Sequence, residues 1–215
     1  MTELIIVRHG QSIANAEKKF AGHSNFDLSD TGHAQASLVA DYLVVNKKID
    51  AIYSSDLLRA YNTVAPTAKR LGLKIQTDKK LREIYAGEWE AMTFEDIATK
   101  YEKDFNLWKN DFSNARPTGG ESVEEIYYRV RDAVLNIAKA NDGKTVLIGT
   151  HATVVRSFEC FARGLGAEHM CDVPFCANAA INIFECDGVC ATPVSLNFKD
   201  HLGGQETFVP KEINA

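Results

Sequence analysis

Two arginines, two histidines and one glutamate in this chain are of the types that handle phosphate: Arg8 and His9 in IIVRHGQSIAN, Arg59 in YSSDLLRAYNT, Glu83 in LREIYAG and His151 in IGTHATVVR. The chemistry they support together is phosphoryl transfer. Two guanidiniums hold non-bridging phosphate oxygens through bidentate, charge-assisted hydrogen bonds and stay positive at any working pH. A neutral imidazole, with an ordinary pKa of about 6.5, offers a lone pair that attacks phosphorus without a strong base. His9 is the candidate nucleophile, and its product, a phosphohistidine, is one that water can cleave. Because the transferred group is nearly free of covalent bonding at the transition state, positioning and charge carry most of the rate. With a protonated His151 beside the arginines, no metal is required. The departing alkoxide needs a proton, which a carboxylic acid of raised pKa supplies; Glu83 is the candidate.

For these residues to act together, the elements carrying them must end at one place. Leu4–Val7 reads as a first strand that empties Arg8 and His9 into a glycine-relaxed turn. A helix from Ser29, its cap, to about Val45 follows from apolar residues at Ala36, Val39, Ala40, Leu43 and Val44. Ala51–Tyr53 is a second strand, and Ser55-Asp56 opens a helix to about Leu71, before Gly72. Residues 73–77 form a third strand. Ser122 to about Ala140 is a long helix whose start has the capping-box form, Ser122 with Glu125. TVLIG at 145–149 is a fourth strand, with a helix from His151 to about Arg163. Ala180–Glu185 and Val189–Leu196 flank Asp187-Gly188, a two-residue hairpin signal. Alternating strands and helices with near-continuous apolar strands predict an α/β fold: three-layer α/β/α, with a mostly parallel sheet and a late antiparallel strand. Ligands of such sheets sit outside the carboxyl ends of the strands, so if strands one, two and four are neighbours, the two arginines and two histidines converge there.

Residues 88–118 break the alternation, with Trp89, Phe94, Tyr101, Phe105, Trp108 and Phe112 on short helices. They read as a small helical cap insertion in a single domain spanning 1–215, its aromatics shaping a substrate pocket. Residues from about 203 onward read as a loose tail. Among 215 residues, 45% are hydrophobic and 25% charged, the composition of an ordinary globular protein, and the net charge of −5 excludes a basic nucleic-acid footprint. No apolar run is long enough to span a membrane and no secretory signal pattern is present, so a cytoplasmic location is expected. All five cysteines lie in the last third at spacings unlike a zinc knuckle. They are expected to be reduced, small core hydrophobes, with no metal site.

Together these blocks resemble the histidine phosphatase superfamily, the phosphoglycerate mutase-like group. The resemblance covers residues 3–202. RHG is Arg8-His9-Gly10, continued by Ser12 and Asn15; FAG at Phe20–Gly22 and DLSDTGHAQA follow, and then the segments carrying Arg59, Glu83, Gly120-Glu121-Ser122 and His151. An isolated RHG is weak, whereas these blocks in this order are specific. The resemblance implies His9 as the phosphorylated nucleophile, Glu83 as proton donor and a phosphate pocket of Arg8, Asn15, Arg59 and His151. It also places Gln11, Ala21, Gly22 and His23 on the substrate side, where Trp89 is expected to join them. It implies no cofactor, a small phosphomonoester as partner, and a monomer or homodimer. Arg82 and Arg129 are expected in structural ion pairs. The family often has glycine after the second histidine, and Ala152 there puts the loop geometry in question.

IYAGEWEAMT after Glu83 is similar to phosphatase members, and the chain lacks the ERHYG…LNK and basic RSY…PPP segments of the glycolytic mutases. A metal-independent phosphomonoester hydrolase of the histidine acid phosphatase type is therefore expected. The alternatives are a cofactor-dependent phosphoglycerate mutase and a non-catalytic phospholigand-binding protein.

Overall fold

A computed structural model describes residues 1–207. Its elements are β1 (Thr2–Arg8), α1 (Ile13–Ala16), α2 (Asp30–Asn46), β2 (Ala51–Ser54), α3 (Leu58–Leu71), β3 (Ile75–Thr77), α4 (Phe94–Lys100), α5 (Glu102–Asn110), α6 (Val123–Ala140), β4 (Thr145–Thr150), α7 (Ala152–Ala162), β5 (Ile181–Cys186) and β6 (Ala191–Phe198). The six strands form one sheet in the order β3-β2-β4-β1-β5-β6. Strands β1 and β2 both pair in parallel with β4, while β5 runs antiparallel to β1 and to β6. The architecture is the expected α/β arrangement with one reversed strand. Strands one, four and two are indeed neighbours, and the register that sets Arg8 opposite Thr150 and Ser54 opposite Gly149 brings their carboxyl ends level.

The alternating faces of β1 divide the core. Leu4 and Ile6 join a cluster with α6 and α7, whereas Ile5 and Val7 join one with α2 and α3. All four are essentially inaccessible, a burial worth about 1.5–3 kcal/mol for each side chain. Residues 88–118 supply α4, α5 and flanking turns, and their Trp89, Ile97, Phe105, Trp108 and Phe112 belong to the same apolar cluster as β1 and α6. This segment is packed into the core on one side of the sheet and borders the site through Phe94 and Trp108.

Ser29 caps α2 as expected, accepting from the Gly32 N–H, and Ser122 with Glu125 forms the reciprocal box at α6. Helix α3 begins three residues later than Ser55 suggests: Ser55 Oγ accepts from the Leu57 N–H at 3.3 Å and also lies 2.8 Å from His151 Nε2, and Asp56 holds Arg82 through two contacts of 2.6 Å. Asn25 instead accepts from the Leu58 N–H. The late hairpin is longer than Asp187-Gly188 implies, since Cys186 pairs with Ala191 and the Asp187 carboxylate accepts from the Val189 and Cys190 N–H groups. The second strand therefore starts two residues later than expected, at Ala191, because that carboxylate rewards a wider turn. None of the five cysteines is in a disulfide; Cys160, Cys176 and Cys186 are buried, but Cys171 and Cys190 are exposed and serve no core. Residues 203–207 are not loose: Gln35 donates to Gln205 O and Thr207 Oγ1, and Asn178 donates its N–H to Thr207 O. Residues 208–215 of the expected tail lie outside the described residues. Among the described residues no helix is long and apolar enough to cross a membrane.

Candidate active site

A cleft opens at the carboxyl ends of β1, β2 and β4. Its floor is polar, formed by Arg8, His9, Asn15, Arg59 and Glu83, and α7 presents Ala152 and Thr153 at one edge. His151 is wholly buried beneath, with its ring centroid 5.2 Å from that of His9. The five residues expected to carry the chemistry are thus brought together.

The backbone of His9 is held on every side. Its N–H donates to Thr150 O, and its carbonyl accepts from the Ala179 N–H and from Asn178 Nδ2. Gly10 follows where α2 crosses closely; a Cβ there would lie 2.7 Å from Gly32 O, so only glycine fits. The Gly10 N–H donates to Thr63 Oγ1, which itself donates to Arg59 O, tying α3 to the catalytic turn. His9 Nδ1 lies 2.7 Å from Gly10 O, so Nδ1 carries the ring proton and Nε2 keeps the free lone pair. Burial, and then the Arg59 and Arg8 guanidiniums, hold the His9 pKa well below the usual histidine value. The ring is neutral and oriented, as a nucleophile needs.

Arg8 and Arg59 are 2% and 0% exposed, and neither is in an ion pair among the described residues. Arg8 donates to Cys176 O; Arg59 donates to Ser24 O and Gly22 O. The Nε atoms of both, and Nδ1 of His151, are buried without a partner. Burial lowers the Arg59 pKa to about 10 and that of Arg8 below its ordinary value, yet both remain cations at neutral pH. Glu83, and for Arg59 also Glu90, offset this charge without an ion-pair contact, and an anion with several acceptor oxygens relieves the rest of the cost of burying it.

Asn15 forms a reciprocal cap with Ser12, its Oδ1 accepting from the Ser12 N–H and from Asn178 Nδ2. The amide Nδ2–H is the group left for a ligand. The Glu83 carboxylate accepts from the Ile84 N–H and, at 3.4 Å, from the Thr153 N–H in the first turn of α7. Ala152 takes the first helical position, outside the positive-φ region, so the substitution for glycine carries no backbone strain.

His151 departs from expectation. Burial first, then the neighbouring Arg59 charge, push its pKa well below the ordinary value, so it is neutral in the free site, not protonated. Positive charge here comes from the arginines, and an incoming dianion favours protonation of His151. These neutral rings bear on stability as well. Unfolded histidines bind protons below about pH 6.5 while His9 and His151 in the folded chain do not, so stability falls as pH falls. The slope approaches about 1.4 kcal/mol per pH unit for each ring. We expect the melting temperature of the ligand-free protein to drop between about pH 7 and 5.5 and inorganic phosphate to restore it. A melting temperature flat across that window would contradict the neutral assignment.

Of the residues expected on the substrate side, Ala21 and Gly22 border the cleft. Gly22 adopts φ +47°, where a Cβ would strike Glu90. Three others are placed elsewhere. Trp89 is fully buried, donating Nε1 to Thr118 Oγ1, and Trp108 borders the cleft instead. Gln11 turns to the α2 cap, accepting from Ser29 Oγ, and His23 lies against Tyr85 with Nε2 2.9 Å from Glu83 O. Arg82 and Arg129 pair with Asp56 and Glu121 as expected. Two further residues hold the site, Glu90 within the IYAGEWEAMT segment and Asn178 in a stretch without a motif. Asn178 braces His9 and Asn15, and Glu90 accepts from the Ala86, His23 and Ser24 N–H groups, fixing the loop whose carbonyls grip Arg59.

A family model for the histidine phosphatase superfamily (branch 1) matches residues 4–199. Phosphoserine phosphatase 1 of Hydrogenobacter thermophilus is 30% identical over 203 residues, covering 94% of this chain and 95% of that protein. Phosphoglycerate mutase-like protein 4 of Arabidopsis thaliana is 32% identical over 184 residues, 85% of this chain and 78% of its own length. Among solved structures, that of Bacillus stearothermophilus YhfR is similar with a TM-score of 0.88 at 26% identity, covering 94% of this chain and 100% of that one.

Proposed function

The chain belongs to the histidine phosphatase superfamily, and on that premise we propose that it is a metal-independent phosphatase that hydrolyses a small phosphomonoester through a phosphohistidine on His9. The phosphate dianion sits between Arg8 and Arg59, with Asn15 Nδ2 and His151 completing the cradle. His9 Nε2 forms a bond to phosphorus as the bond to the leaving oxygen breaks, and Glu83 in its acid form gives that oxygen its proton. The hydrogen bond from Nδ1 to Gly10 O steadies the positive charge that develops on the ring. Water then attacks phosphorus, its proton passing to the Glu83 carboxylate while the N–P electron pair returns to Nε2. The helix α7 N-terminus adds a favourable dipole for the anion.

The observation that carries this reading is a neutral imidazole of fixed tautomer beside two buried guanidiniums that make no ion pair among the described residues. The relative named as a phosphoserine phosphatase supports it. A panel of phosphomonoesters, assayed for released phosphate, tests it: sustained release without added cofactor is expected. Turnover of 3-phosphoglycerate that is seen only with an enolase couple and depends on 2,3-bisphosphoglycerate would replace it with a mutase. Tight phosphate binding with no hydrolysis of p-nitrophenyl phosphate would point to a non-catalytic binder.

A further inference from the structure

Above the phosphate floor the cleft is walled by Phe20, Phe94, Trp108 and Phe175. These rings pack edge to face: Phe20 meets Trp108 at 5.1 Å and Phe94 at 6.0 Å, and Phe112 meets Trp108 at 4.8 Å and Phe175 at 5.7 Å. Such a wall offers nothing to the hydroxyls of a sugar. Two polar groups belong to residues that line it. The first is Lys19, the one cation on the cleft besides Arg8 and Arg59 among the described residues. Its backbone is fixed against Thr93, and its ammonium is held 2.7 Å from Glu17 in a pair whose side chains are 33% and 48% exposed, a weak contact that a ligand can replace. The second is the Trp108 indole N–H, buried and without an acceptor, whereas that of the adjacent Trp89 is satisfied by Thr118. Of the two tryptophans, the one bordering the cleft is the one with an unused donor.

We propose that the cleft selects a phosphomonoester whose leaving group carries a carboxylate, taken by the Lys19 ammonium with the Trp108 N–H as its hydrogen-bond donor. The inference rests on the phosphatase reading for the placement of the phosphate. Charge supports a carboxylate over a second phosphate: Arg8 and Arg59 answer one dianion, and a single ammonium answers one further negative charge. The apolar wall then faces a short carbon body.

Matched compounds test it. 3-Phosphoglycerate and glycerol 3-phosphate differ in a carboxylate against a hydroxymethyl group. Affinities are measured calorimetrically in a His9→Ala background, so that they do not depend on turnover, and kcat/KM is measured in the active protein. The chain with native Lys19 is expected to prefer 3-phosphoglycerate by about tenfold or more, the scale of one good charge-assisted contact. Lys19→Met should erase that preference, Trp108→Phe should reduce it, and Glu17→Gln, which frees the ammonium, should increase it. A preference that is absent at the outset, or that Lys19→Met leaves unchanged within about twofold, overturns the proposal. Failure of hydrolysis with the binding preference intact would sink the phosphatase reading and leave the carboxylate subsite standing.

Discussion

His9→Ala is expected to lower kcat by about four orders of magnitude or more, with little loss in affinity for inorganic phosphate. The asymmetry follows from the geometry. Arg8, Arg59, Asn15 and His151 remain to hold the anion, and removing the ring relieves crowding around two guanidiniums whose charge depresses its pKa. The backbone of residue 9 is fixed by Thr150, Asn178 and Ala179 irrespective of its side chain, so the fold should survive. Steady-state phosphate release together with calorimetric phosphate binding separates the two effects. A variant with near-normal turnover would remove His9 from the role of nucleophile.

Glu83→Gln is expected to act selectively. The amide keeps the size of the side chain and can still accept from the Ile84 N–H, but it has no proton to give. For alkyl phosphates, whose alkoxides are poor leaving groups, the loss should reach about 10²- to 10⁴-fold, the usual contribution of a general acid. For p-nitrophenyl phosphate, whose phenolate departs unaided, the formation of the phosphoenzyme should be nearly unaffected. Single-turnover rates across esters of graded leaving-group acidity measure this directly: the variant should show a much steeper dependence. Equal slopes in both proteins would assign Glu83 to positioning alone.

The central fold and the converging set were legible because they depend on short-range signals. Leu4–Val7 and TVLIG are near-continuous apolar runs, and each ends in its polar residues, so the strand-end rule placed Arg8, His9, Arg59 and His151 at one rim. The residues that sequence reading misplaced are those whose partners are far along the chain. Ser55 looks like the cap of the helix, yet its hydroxyl also meets His151, 96 positions away, and the helix starts at Leu58. Trp89 and Trp108 are equivalent as sequence, and only the fold turns one to Thr118 and the other to the cleft. Asn178 sits in a stretch without a motif and Glu90 in a segment read only for its likeness to phosphatases, and their importance lies in the backbone groups they satisfy on other loops. The protonation of His151 was misjudged for a related reason: its charge depends on burial and on Arg59, neither of which spacing reveals.

The covalent intermediate is the claim on which the rest depends. The protein is mixed with a ³²P-labelled phosphomonoester, quenched in base within the first turnover and digested with trypsin, which cuts after Arg8 and Lys18 to release the segment His9–Lys18. The mechanism predicts label on that segment, stable to base and lost in acid, as a phosphoramidate bond requires. Absence of trapped label during active turnover, or trapped label that survives acid, would contradict it.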